Sequence, residues 1–300
     1  MPKNRKKNSP ARALAFVLLL ITALAVTFTI LLQDKNIALF HHRGMIAQEQ
    51  FLLIFINMGL MLFLAIPALF MFYFIAWKYR ESNTNAEHEP AKRHNKSLVL
   101  TMWLVPTVLA VILATIMIPA THKLEPNKKI IADKKPMTIQ VVAMRWKWVF
   151  IYPEQNIATV NFVQIPEDTP VTFELTADDA PMTSFWIPNL GGMLYAMTGH
   201  NNQLNLIADT PGDYPGSSAE INGEGFAGMQ FTAQASSQKD FDTWLQGVKR
   251  SPTALDTAEY NKLLKPSEDQ PEAFYSSTEA DMYATVLKKY GGSESHHGHY

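Results

Sequence analysis

Three stretches of this chain, Ala13 to Leu32, Phe51 to Trp77 and Leu98 to Ala120, are apolar and almost free of charge. Each is at least about 19 residues long, enough for a helix to cross a hydrocarbon layer of roughly 30 Å. Lipid offers the backbone no hydrogen bonds, so a crossing segment has to be helical. One such block could be the core helix of a soluble protein. Three in succession are read as membrane spans, or as a signal segment followed by two spans.

Charge divides along the same line. Residues 1–120 hold 12 Lys/Arg and 5 Asp/Glu, while residues 121–300 hold 14 and 22. The near-neutral total hides a basic membrane part and an acidic remainder. An acidic domain is unsuited to nucleic acid, whose phosphates need clustered cations, so no nucleic-acid partner is expected. Cysteine is absent. That excludes disulfides, thiolate metal sites, cysteine nucleophiles and a lipoprotein cysteine.

The short loops give the orientation. Lys3, Arg5, Lys6, Lys7 and Arg12 precede the first block, and Lys78, Arg80, Lys92, Arg93 and Lys96 lie between the second and third. The segment 33–50 has only Lys35 and Arg43. The positive-inside rule places the N-terminus and the Lys78–Lys96 loop in the cytoplasm, and everything after about residue 121 on the opposite side. Residues 1–33 read as a signal peptide or a signal-anchor helix. The block exceeds a usual signal h-region and no small-x-small site ends it, which favours the anchor. Residues 45–120 form a helical hairpin with spans at about 51–77 and 98–120. Pro67 is expected to kink the first of these, and "WKYR" (77–80) and Trp103 to sit at the interfaces.

From Met137 the pattern turns to short runs. "MTIQVVAM" (137–144), "ATVNFVQIP" (158–166), "PVTFELTAD" (170–178), "QLNLIAD" (203–209) and "GMQFTAQAS" (228–236) read as strands. Prolines and glycines punctuate them, as in an all-β sandwich or barrel. In "RWKWVFIY" (145–152), Trp146, Trp148, Phe150 and Tyr152 share one parity and are expected on one face of a strand. After Ala235 three helices are expected, within 236–249 with Ser237 as N-cap, 253–264 and 278–290. Gly291 and Gly292 stop the last. The segment 291–300 is expected to be disordered, with His296, His297 and His299 solvated.

Chemistry is sparse in this part. Only His122 and His200 fall between the last span and the tail, so no Ser-His-Asp set is available. Asp178 and Asp179 read as a solvated loop. One stretch looks built for a metal, "YPGSSAEINGEGFAGMQF" (214–231), a glycine-rich loop between apolar strands that carries Glu220 and Met229 but no cysteine or histidine.

Membrane spans followed by a sandwich that opens on a Trp-x-Trp strand resemble subunit II of the haem–copper respiratory oxidases. In the cytochrome c oxidases of that family, a cupredoxin domain holds a dinuclear copper centre. Its ligands come from a "HSW-x-x-P"-like segment and a "C-S-E-x-C-G-x-x-H-x-x-M" loop. "TSFWIPNLG" (183–191) resembles the first, with Thr183 at the histidine position. "SAEINGEGFAGM" (218–229) matches the second in spacing, with Ser218 and Asn222 at the cysteines and Phe226 at the histidine. Glu220 and Met229 remain. Four of the six positions are therefore non-ligands. Their loss resembles the bo-type ubiquinol oxidases, whose subunit II lacks this copper. "AWKYR" (76–80), Trp103 with Val105 and Pro106, "THKLEP" (121–126), "FIYPEQNIATVN" (150–161), "YAM" (195–197) and "LIA" (206–208) also look like that subfamily.

The resemblance implies a cupredoxin-like domain at 121–235 in the bacterial periplasm and a helical extension at 236–290. It implies a multi-pass inner-membrane protein with no catalytic residue and no cofactor of its own. Haem b, haem o and copper would lie in a partner subunit I, with subunits III and IV, membrane lipid and ubiquinol as further partners of the complex. Glu220 and Met229 would pack or hydrogen-bond within the domain. The alternative is a membrane-anchored cupredoxin-like binding or assembly protein.

Overall fold

The computed structural model describes residues 19, 22, 23, 26, 27, 37–81, 83, 84 and 95–293. The apolar block 13–32, most of the loop before Lys96 and the histidines of the tail fall largely or wholly outside these. Residues 1–41 form one unit, whose described part includes a 3-10 turn at Ala38–Phe40. All else belongs to a second unit, His42–Tyr300.

In the second unit, helices α1 (Met45–Lys78) and α2 (Lys96–Lys123) are both long and apolar enough to cross a membrane. They overrun the expected spans because polar ends extend beyond the apolar centres. Helix α1 continues through Pro67, and α2 through Pro106 and Pro119. Asn95 caps α2, its Oδ1 accepting from the main-chain N–H groups of Ser97 and Leu98. Within the hairpin, Asn57 Nδ2 donates to Met117 Sδ at 3.3 Å, a polar link between apolar helices. Exposed Phe63, Phe70, Phe72 and Tyr73 leave the remaining surface apolar.

The start of α1 is tied to the sandwich. Arg43 N donates to Asn189 O at 2.8 Å, Asp209 N to Arg43 O at 2.9 Å, and Ala47 N to Leu190 O at 3.2 Å. The last of these gives a partner to one of the first-turn N–H groups that a helix leaves open. Gly44 makes the approach possible, since a Cβ there would lie 2.4 Å from Ile207 O.

Eleven strands follow: β1 (Met137–Met144), β2 (Lys147–Tyr152), β3 (Ile157–Val160), β4 (Phe162–Pro166), β5 (Val171–Ala177), β6 (Thr183–Trp186), β7 (Leu194–Ala196), β8 (Asn202–Leu206), β9 (Gly212–Ser218), β10 (Gln230–Ser236) and β11 (Ala273–Tyr275). They form two sheets, in the orders β11-β3-β2-β1-β5-β8 and β4-β10-β9-β6-β7. The pairs β1/β5 and β4/β10 are parallel. Helices α3 (Gln238–Val248), α4 (Thr257–Leu263) and α5 (Met282–Lys289) complete the chain.

Between the sheets lies an aromatic core. The rings of Phe185 and Phe231 stack 5.0 Å apart, with Trp148 edge-on to Phe185 at 5.3 Å. Phe231 also lies against Gly216, where a Cβ would come within 2.1 Å of the ring. The outer face of the first sheet is covered as well. Val142, Met144, Val149 and Ile151 pack there against Tyr260, Leu263, Tyr283 and Leu287 of the C-terminal segment. All of β2 is therefore buried, and the alternation of β1 gives way to continuous burial after Gln140.

Several expectations need correction. The run 158–166 is two strands in different sheets. Asn161 breaks it at φ 54°, with its Oδ1 accepting from Trp148 N at 2.8 Å. Trp146 is not on the face of Trp148, Phe150 and Tyr152. It sits at φ 64° in the turn between β1 and β2. The first residues of the quoted stretch 214–231 are not loop but belong to β9, which pairs with β10 and β6. Two C-terminal helices begin later than expected, at Thr257 and Met282. The extension is not purely helical, since β11 adds an edge strand to the first sheet beside β3.

Candidate functional site

Strand β6 brings Thr183 to one end of the sandwich, and its neighbour β9 ends there at Ser218. The chain then turns through Glu220, Asn222 and Gly223, passes a 3-10 turn at Glu224–Gly228 that includes Phe226, and enters β10 after Met229. Gly223 holds φ 128°, a region open to glycine and few others.

Four of the six sequence-predicted positions meet through their side chains. The Thr183 and Ser218 hydroxyls are 2.7 Å apart. Asn222 Nδ2 donates to Thr183 Oγ1 at 2.8 Å and approaches Met229 Sδ at 3.1 Å. A fifth, Glu220, joins through its backbone, its carbonyl accepting from Ser218 Oγ at 2.8 Å. Its Oε2 is buried without a hydrogen-bond partner among the described residues, as is Asn222 Oδ1. Thr183, Ser218 and Met229 are buried. Phe226 contributes its carbonyl, which accepts from Met229 N at 3.1 Å. The pocket thus holds hydroxyls, an amide and a thioether bonded to one another. None of these groups is a strong base or a nucleophile with a base beside it.

Trp146 forms a wall of the loop. A Cβ at Gly225 would lie 2.4 Å from its indole, and one at Gly223 3.3 Å away. Next to it is a cluster the sequence reading placed in solvent. Asp178 is 1% exposed. Its Oδ2 accepts from Tyr260 OH at 2.8 Å, and its Oδ1 accepts from Lys289 Nζ at 2.7 Å and Tyr290 OH at 2.8 Å. Tyr290 OH in turn accepts from Asp179 N at 3.0 Å. Burial, with the Asp178 carboxylate behind it, pushes the Tyr260 phenol well above its usual range. The hydrogen bond to Asp178 raises Lys289.

Lys147 is a second buried charge, 1% exposed. Its Nζ donates to Leu263 O at 2.8 Å and Lys265 O at 2.7 Å, carbonyls at the C-terminal end of α4. A cation there complements the helix dipole, while burial lowers its pKa. Lys147 and Asp178 thus anchor the extension to the sandwich. Neither had a local signal beyond a lysine inside an aromatic run, because the partners lie far along the chain. His200 stays in an exposed turn, its Nδ1 3.0 Å from Thr198 O.

Residues 154–236 match the family model described as the periplasmic domain of cytochrome c oxidase subunit II, and residues 249–293 match the COX aromatic-rich motif. The chain is 46% identical over 263 residues to the cytochrome bo(3) ubiquinol oxidase subunit 2 of Pseudomonas putida, covering 88% of this chain and 83% of that protein. It is 44% identical to the ubiquinol oxidase subunit 2 of Acetobacter aceti, covering 77% and 75% of the two chains. With the quinol oxidase subunit 2 of Bacillus cereus the figures are 38% identity and coverage of 78% and 80%.

Proposed function

The chain belongs to the subunit II family of the haem–copper ubiquinol oxidases, and we propose that it serves its complex as a non-catalytic, copper-free subunit. The complex is an oxidoreductase of the respiratory chain. Ubiquinol would give its electrons to haem b, haem o and copper in a partner subunit I, which reduces oxygen to water. This chain would pack its spans against that subunit, beside subunits III and IV, and hold its cupredoxin-like domain over the periplasmic face.

One observation carries the reading: the hydrogen-bonded set of Thr183, Ser218, Asn222 and Met229. Thiolate and imidazole suit a copper electron-transfer site, whereas neutral hydroxyl and amide groups are poor ligands for it. Here those groups already use one another as partners, and the chain has no cysteine. The donors do not fit a copper centre, and no electron-transfer step is assigned to them. A quinol reaches its oxidase through the lipid. An outer domain then has no soluble donor to serve, and the physical need for a copper relay disappears.

The test is purification of the complex through this chain, followed by haem spectra, copper analysis and a quinol oxidase assay. The expected preparation shows b- and o-type haems, oxidises ubiquinol and lacks a near-infrared copper band. Such a band arising from this chain, or a preparation without haem, would overturn the assignment.

A further inference from the structure

Where the two long helices meet the sandwich there is a cavity of about 340 Å³. Its walls include Gln50 in the early turns of α1, Lys123 at the end of α2, and Lys128, Lys129 and Ile131 of the segment that follows. The segment is held in place. Pro126 O accepts from both the main-chain N–H and the side-chain Nδ2 of Asn205, each at 3.0 Å, and Lys128 N closes a turn onto Glu125 O at 3.0 Å. Lys123 is paired with Glu49 at 2.5 Å. Lys128, Lys129 and the Gln50 amide have no side-chain partner among the described residues. Gly192 sits against that amide, where a Cβ would come within 3.0 Å of its Nε2.

The apolar groups are as informative as the cations. Ile131 is fully exposed, two residues beyond Lys129. Exposed apolar side chains beside cations at the end of a spanning helix match the level where acyl chains give way to headgroups. A soluble anion would have no use for the isoleucine. Glu125 also lines the cavity and Lys123 is taken by Glu49, so the excess positive charge comes from Lys128 and Lys129.

We propose that this cavity seats the phosphodiester headgroup of an anionic glycerophospholipid from the leaflet on the sandwich side. Its acyl chains would lie along the apolar surface of α1 and α2. The inference rests on the reading that these helices cross a membrane. Lys128 and Lys129 supply the charge, the Gln50 amide a neutral donor, and Ile131 the contact with the upper acyl chain.

The test is native mass spectrometry of the purified complex titrated with phosphatidylglycerol or phosphatidylcholine. The parent should retain one more phosphatidylglycerol than the Lys128→Ala/Lys129→Ala variant. Each cation at an anionic surface is worth about a fivefold preference, so affinity at this site should fall about 25-fold. Lys239→Ala/Lys249→Ala, with the same loss of charge on exposed residues of the helical extension, should behave as the parent. The proposal falls if the lysine variant keeps its phosphatidylglycerol, if phosphatidylcholine serves equally, or if millimolar inorganic phosphate displaces the lipid. Carbonate extraction separates the two layers of the argument. A chain released from membranes would sink the spanning reading and the site with it, whereas a retained chain indifferent to headgroup would sink the site alone.

Discussion

Asp178→Ala should detach the C-terminal extension from the sandwich before it disturbs the sandwich itself. The carboxylate serves three donors, and they are unequal. Tyr260 is 7% exposed, so its phenol would be left in a dry site without an acceptor, a loss of about 1–3 kcal/mol. The Lys289 side chain is 48% exposed and rehydrates, and Tyr290 also reaches solvent, so each adds only about 0.5 kcal/mol. Relief of the buried charge offsets part of this. The net expectation is about 2–3 kcal/mol, which makes local opening about 30- to 150-fold more frequent. Hydrogen exchange on the purified complex should report it as faster exchange in α4 and α5, with the β5–β8 and β9–β10 pairs unchanged. Asp178→Asn, which keeps one acceptor oxygen, should lose about half as much. Exchange that stays at the parent rate in α4 and α5, or rises equally in both sheets, would refute the idea that Asp178 holds the extension.

Alkaline pH should act on the same cluster. Tyr260 and Lys289 both hold their protons more tightly when folded than their usual values of 10.0 and 10.5. Their contribution is complete below about pH 10 and is lost as pH climbs beyond it, and Tyr260→Phe should flatten that decline in a thermal-melt series. Lys147 acts in the opposite sense. Its folded pKa is lowered from 10.5, so its contribution to stability rises as pH approaches that value, and Lys147→Met should erase this rise, while at pH 7 relief of the buried charge offsets part of the loss of about 1–3 kcal/mol from leaving the Leu263 and Lys265 carbonyls without a donor. Thr183→Val should remove the hydroxyl shared by Ser218 and Asn222 and lower stability by about 1–3 kcal/mol, yet leave quinol oxidase turnover per assembled complex unchanged; a fall in turnover would contradict a non-catalytic role. Gly225→Ala should force the Trp146 indole to move, costing about 2 kcal/mol and shifting tryptophan fluorescence; an unshifted spectrum with full stability would show that the indole does not wall the loop.

The sequence made some of this legible for physical reasons. Uncharged runs such as Phe51 to Trp77 have few structural outcomes, and Ser237 marked α3 because a cap signal is local. Thr183, Ser218, Asn222 and Met229 were placed together because their spacing follows a family frame, and their side chains do converge. Signals failed where distant segments decide. The β1 alternation described a strand with one wet face, but residues 255–287 cover that face. Asp178 looked like a surface acid until Tyr260, Lys289 and Tyr290 arrived from the end of the chain. Trp146 obeyed parity only on paper, since the turn that begins β2 puts it at positive φ and sends its ring to the glycine loop.

Strand β11 has a consequence for how the protein is made. It pairs with β3, a strand synthesised long before it. Until β11 is made and docks, β3 presents an open row of backbone donors and acceptors, which invites pairing with another copy. The half-made domain is therefore most vulnerable during the interval between the emergence of β10 and that of β11. A chain cut short before β11 would carry that exposed edge permanently, and would be a substrate for aggregation or proteolysis even though every residue of the glycine loop is present.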